Sequence, residues 1–223
     1  MTFPTMERGD IKQGATLGFL AGYVDTLGFI GLFGLFTAHV TGNFVLIGRA
    51  VVQSAPEIFL KLLVFPVFML FVAIARLLIL HWERSGGRQL RNSFLAQLLL
   101  MVATVVSAWA AAPIVAADAP LAMVTGMLCA GAMAVQNAYG KLLLGKSAAT
   151  TVMTGNVTQL VIDLVDSACG DPDAMGRCKK LAWPVLAFAL GCVSGGLMFL
   201  VAGFNGLLLP CALLLWLAMA AKD

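Results

Sequence analysis

Two copies of one tripeptide carry most of the chemistry this sequence could do. Thr41-Gly42-Asn43 lies in AHVTGNFVLIG, and Thr154-Gly155-Asn156 lies in TVMTGNVTQLV. A threonine can cap a short helix by accepting a backbone N–H bond. A glycine permits a sharp turn or a close backbone approach. An asparagine offers donors and an acceptor to a solute, and a helix N-terminus attracts anions or carbonyl groups. Upstream of the first copy, Asp25 falls inside an apolar run and His39 lies two residues before Thr41. A carboxylate at such depth is expensive, so it should face a cavity or a partner. Desolvation should raise its pKa, so that it loads and releases a proton near neutral pH. Histidine is a proton shuttle at the same pH. The chemistry predicted is the binding and passage of a small solute or ion, with a proton. Each residue also has a structural reading. Asp25 could lock two helices, His39 could be a plain interfacial residue, and the two motifs could cap short helices and bond each other.

The repetition extends beyond the tripeptide. Thr154 follows Thr41 by 113 positions. Gly14, Gly18, Gly22 and Asp25 recur as Gly126, Ala130, Ala134 and Asn137, each 112 positions later. Small residues every fourth position make a smooth face along which helices approach closely, and Asp25 and Asn137 extend those faces at helical spacing. Asn137 cannot titrate, so any proton site is asymmetric. Gln136, with Thr150, Thr151, Thr158 and Gln159, could line an inner vestibule or satisfy freed backbone groups. Pro66 and Pro184 fall early in matching spans. The pattern divides the chain into halves 1–118 and 119–223 of one membrane domain.

The elements that position these residues follow from composition. The chain is 61% hydrophobic and 11% charged, against roughly 25% charged in a soluble domain. Its apolar runs do not alternate, which excludes a β-barrel. Six runs approach the roughly 20 residues of a membrane-spanning helix: 14–36, 60–81, 93–113, 120–142, 181–202 and 206–221. Two short segments, 41–53 and 154–166, open at the tripeptides. If they dip into the membrane and return, Lys12, Arg84, Arg88, Arg91, Lys141, Lys146, Arg177, Lys179, Lys180 and Lys222 all face the cytoplasm. Only Arg49 and Lys61 then break the positive-inside rule. Trp82, Trp183 and Trp216 fall near the inner interface and Trp109 near the outer. The fold predicted is an all-α integral membrane protein of six transmembrane helices plus two short re-entrant helices, arranged as two inverted three-helix repeats. Both termini are placed in the cytoplasm.

Other classes are excluded. The sequence has no metal cluster, no G-x-S-x-G and no P-loop, so neither an enzyme nor a cofactor is predicted. A net charge of +3, set in short loops, gives no nucleic-acid surface. Cys129, Cys192 and Cys211 sit in apolar runs as packing residues, and Cys169 and Cys178 flank an acidic loop read as cytoplasmic, which argues against disulfides and zinc. The expected partners are membrane lipid and a small solute or ion, and the glycine faces would also serve a homo-oligomer.

GFLAGYVDTLGF followed by FTAHVTGN, and AVQNAYGK followed by TTVMTGNVTQL, resemble the YoaK family of bacterial multi-pass membrane proteins over nearly the whole chain. The resemblance implies a bacterial inner-membrane protein of about this length and brings no substrate or reaction. From the residues, the leading reading is a small-solute transporter or permease, with a proton-coupled mode, whose site lies between the two halves. A passive channel and a non-transporting scaffold or complex subunit stand beside it.

Overall fold

A computed structural model describes residues 8–53, 57–145 and 150–221. Among them there is no strand. Eight α-helices follow in order: α1 (Arg8–Gly31), α2 (Gly42–Gln53), α3 (Ile58–Arg84), α4 (Gln89–Ala111), α5 (Pro120–Leu142), α6 (Met153–Ala168), α7 (Ala174–Ala202) and α8 (Leu208–Ala220). A 3-10 turn over Gly203–Leu207 joins the last two, and Gly203 takes φ +55° there. Among the described residues, four stretches are long and apolar enough to cross a membrane: Ile58–Arg84, Gln89–Ala111, Pro120–Leu142 and Ala174–Ala220. The two predicted short helices are present as α2 and α6. Lys146 and Lys222, used above for orientation, lie outside the described residues.

The first span was predicted to run to residue 36, but α1 ends at Gly31. Phe33 (φ +55°) and Gly34 (φ +75°) both adopt left-handed backbone, which an α-helix cannot continue. The predicted acidic loop 167–180 is likewise shorter, because α7 begins at Ala174 and takes Arg177 and Cys178 into its first turns.

α1 and α7 are held at backbone distance. A methyl group on Gly18 would sit 2.7 Å from the Pro184 carbonyl oxygen, and one on Gly22 would overlap the Phe188 carbonyl. The relation is mutual: Gly191 faces the Phe19 carbonyl and Gly195 the Tyr23 carbonyl. The small-residue face of α1 thus meets a second one on α7. The corresponding face of α5 is buried too, through Gly126, Ala130 and Ala134. There the neighbours are side chains, Leu35 at Gly126 and Phe71 at Gly131. α3 packs on α5, α4 on α5 and α8, α2 on α3, and α6 on α7.

Polar side chains zip α4 to α5. Ser93, Gln97, Thr104 and Ser107 share one buried face of α4. Gln97 Nε2 donates to Gln136 Oε1 at 2.9 Å, and Ser107 and Thr125 hydroxyls pair at 2.9 Å. The Tyr139 hydroxyl donates to Gln97 Oε1 at 2.6 Å, and Gln136 Nε2 donates to the Leu17 carbonyl of α1 at 2.9 Å. In an apolar surround such pairs fix helix register.

The α1–α7 seam is testable. Gly22→Ala should destabilise the purified protein by roughly 1–3 kcal/mol or more, because overpacking meets a carbonyl that cannot rotate away. Gly14→Ala should be neutral or slightly stabilising, since its methyl would lie 3.5 Å from the Pro184 ring. Thermal denaturation in detergent reads both, and equal melting temperatures for the two variants would contradict the seam.

Candidate functional site

The chain leaving α1 turns back alongside it. Asp25 lies six residues before Gly31, about 9 Å down the helix at 1.5 Å per residue, yet residues 37–39 reach its side chain. Asp25 Oδ1 accepts the backbone N–H of Thr37 and of Ala38, both at 2.8 Å, and lies 3.4 Å from the Thr37 hydroxyl. Asp25 Oδ2 lies 2.9 Å from His39 Nδ1. The carboxyl is 4% exposed. The acid expected to face a cavity or a partner is ringed by donors, as a buried carboxylate requires. The His39 side chain is 29% exposed and meets the Phe188 ring of α7 edge-on. It therefore connects the buried acid to the surface. Cys129 of α5 lies beside Thr37, and Cys192 of α7 lies beside Thr26, so α1, α5 and α7 all border the pair.

Asn43 closes the same turn. Its Oδ1 accepts the Phe36 N–H at 3.0 Å, and its Nδ2 donates to the Phe36 carbonyl at 2.8 Å and the Val40 carbonyl at 3.0 Å. The amide is fully buried and both its hydrogens are engaged. Its polar groups, expected to face a solute, serve the backbone. Gly42 is required by the Phe36 ring, which lies 2.9 Å from where a methyl would stand. Thr41 is exposed.

The second half repeats this with neutral groups. Asn137 Oδ1 accepts the Thr151 hydroxyl at 2.6 Å, and its Nδ2 donates to the Met133 carbonyl. Thr151 follows Asn137 by 14 positions, as His39 follows Asp25. Gln136 adds a bond to the Thr150 hydroxyl at 3.2 Å. Asn156 is buried, with Nδ2 3.7 Å from Met153 Sδ, where Asn43 uses the Val40 carbonyl. Val152 is the N-cap of α6 and makes no side-chain cap bond. Thr154 therefore lies within the first turn and is not the predicted cap. It is exposed with Gly155, which has only Val152 near it at ordinary contact distance.

The structure thus brings Asp25 and His39 together, and separately Gln136 and Asn137 with Thr150 and Thr151. It does not bring the two tripeptide helices together, since α2 and α6 make no contact among the described residues. Asp163, whose place near the end of the short segment 154–166 suggests a surface residue, is 1% exposed. Its Oδ1 accepts from Arg177 Nε at 2.9 Å and from Gln159 at 3.1 Å. Arg177 also bonds Asp171 at 2.8 Å, which holds the exposed Asp171 carboxyl below its ordinary range. Gln97 and Tyr139 escaped notice in the sequence. Their signal was the four-residue spacing of Ser93 and Gln97 inside an apolar run.

The anchoring role of Asp25 separates two substitutions. Asp25→Ala leaves the Thr37 and Ala38 N–H groups unpaired, at roughly 1–3 kcal/mol each, and should lower the melting temperature sharply. Asp25→Asn keeps the Oδ1 acceptor and should retain most of the stability. Equal losses for the two would mean that the Oδ1 bonds do not hold the turn.

Residues 13–220 match a family described as a protein of unknown function, DUF1275. The UPF0700 transmembrane protein YoaK of Bacillus subtilis (strain 168) is 30% identical over 145 residues, 65% of this chain and 62% of the relative's length. The matched stretch thus spans less than two thirds of that relative. No solved structure matches the chain significantly. A family match over nearly the whole sequence, a transmembrane relative and four apolar stretches of spanning length lead to one conclusion: the chain is a multi-pass membrane protein belonging to the DUF1275 family.

Proposed function

We propose that this protein is a small-solute transporter of the bacterial inner membrane, with a proton-coupled step at Asp25 and His39. The observation that carries the reading is the Asp25–His39 pair at 2.9 Å, buried at the acid and open at the imidazole. A buried acid joined to a partly exposed histidine can pass a proton between interior and surface. Its counterpart, Asn137–Thr151, has the same spacing and no titrating group, so the proton site is asymmetric between the halves.

The proposed architecture is two inverted halves, 1–118 and 119–223, with six crossings and two re-entrant helices. Several features support it. α1 of the first half packs on α7 of the second, α5 packs on α3, and α4 meets α8, as a two-fold relation would require. The chain returns about 9 Å beside α1 and about 7 Å beside α5 before the short helices begin. The stretch Ala174–Ala220 would measure about 70 Å as one helix, over twice the bilayer core of about 30 Å. It is broken at Gly203, so it supplies two crossings. The Lys/Arg distribution supports an orientation with both termini in the cytoplasm.

The full use of Asn43 on backbone partners favours a second reading. There the motifs only hold the half-helices of a passive channel or a non-transporting membrane scaffold.

Flux in liposomes separates the readings. A solute first identified by thermal-shift screening should enter under an imposed proton gradient. Asp25→Asn should abolish gradient-driven uptake while solute exchange continues. Uptake by that variant with unchanged pH dependence would remove the proton role. Topology is tested by single-cysteine labelling on a background with the native cysteines replaced. Residues near 86 should label from the cytoplasm and residues near 116 from the periplasm. Labelling of the two ends of α6 from opposite faces would refute the re-entrant arrangement.

A further inference from the structure

The end of α1, the last turns of α2 and the first turn of α3 meet around a cleft of about 50 Å³, bordered by Phe29, Phe33, Leu46, Arg49, Glu57 and Lys61. Nothing in the transport reading uses it. Lys61 is 3% exposed, an unusual state for an ammonium. Its Nζ donates to the Phe33 carbonyl at 2.8 Å and lies 3.5 Å from the Glu57 carboxylate. Lysine has three donors, so among the described residues one is left over. Arg49 gives its Nε to Gln53 at 2.8 Å, and among the described residues its terminal nitrogens have no acceptor. Glu57 is the N-cap of α3 and makes no side-chain cap bond. The first N–H groups of that helix add partial positive charge at the same end. Two cations and a helix terminus thus face a single carboxylate, and the surplus is positive.

We infer that this cleft binds a small oxyanion group, a carboxylate or a phosphate, between Lys61 and Arg49. The volume holds a few waters at about 10–15 Å³ each, which admits an acetate, a phosphate or the phosphate of a lipid head group, but no larger metabolite. Lys61 lies in the first turn of a spanning helix, at head-group level, so free anions and anionic lipid can both present the same chemistry. The site is independent of the proton pair and holds equally for a channel or a scaffold.

The test is thermal stability of delipidated protein in detergent, titrated with sodium acetate, sodium phosphate or short-chain phosphatidylglycerol. At least one should raise the melting temperature saturably. Arg49→Gln should shift that titration to about tenfold higher concentration, the effect of one lost charged hydrogen bond. Arg76→Gln, which removes an exposed charge elsewhere on α3, should leave it in place. Response to acetate or phosphate identifies a free-anion site, and response to the lipid alone identifies a head-group site. No response to any of the three overturns the inference, as does an equal shift in the Arg49 and Arg76 variants.

Discussion

Non-helical backbone packed against helices in a membrane protein must find its own hydrogen-bond acceptors, because lipid supplies none. Residues 32–41 are such a stretch, and the N–H groups of Phe36, Thr37 and Ala38 need acceptors. Asn43 takes the first, and Asp25 takes the other two. These two side chains clamp the turn from opposite ends of the sequence segment. Once the turn is clamped, α2 starts at the depth of Asp25. The left-handed Phe33 carbonyl is then left for Lys61 at the head of α3. The first three helices are therefore positioned by a short chain of polar contacts, each of which would be costly to leave unmade.

The second half solves the same problem with weaker groups. Asn137 and Gln136 hold the hydroxyls of Thr151 and Thr150, where Asp25 holds backbone N–H groups and an imidazole. Hydrogen bonds to an ionised group are roughly twice as strong as neutral ones. The two turns thus differ in how firmly each is tied. Among the described residues, the first turn is tied by an acid and an imidazole, and the second by amides and hydroxyls.

Much of this was legible in the sequence, for identifiable reasons. Apolar run length gave the bounds of α5, and the glycine spacing in α1 marked the face that meets α7. Other features depend on partners distant in sequence. The FGLF stretch reads as more apolar helix, although Phe33 and Gly34 leave helical space. Lys61 reads as a charge at the end of a span that breaks the positive-inside rule, but its ammonium is buried on the Phe33 carbonyl. Asp163 reads as a surface acid because Arg177, which buries it, lies 14 positions on in another helix. The Asp25–His39 contact was the hardest to foresee, since it requires the chain to reverse beside its own helix.

The seam between α1 and α7 also limits how this sequence can change. Gly18, Gly22, Gly191 and Gly195 each face a main-chain carbonyl, whereas Gly126 and Gly131 face the side chains of Leu35 and Phe71. A side chain can be exchanged for a smaller one, but a carbonyl is common to every residue type. Damage at Gly126 or Gly131 can therefore be repaired by a second substitution at the facing position. Damage along the seam has no such suppressor, and genetic reversion there must restore the glycine itself.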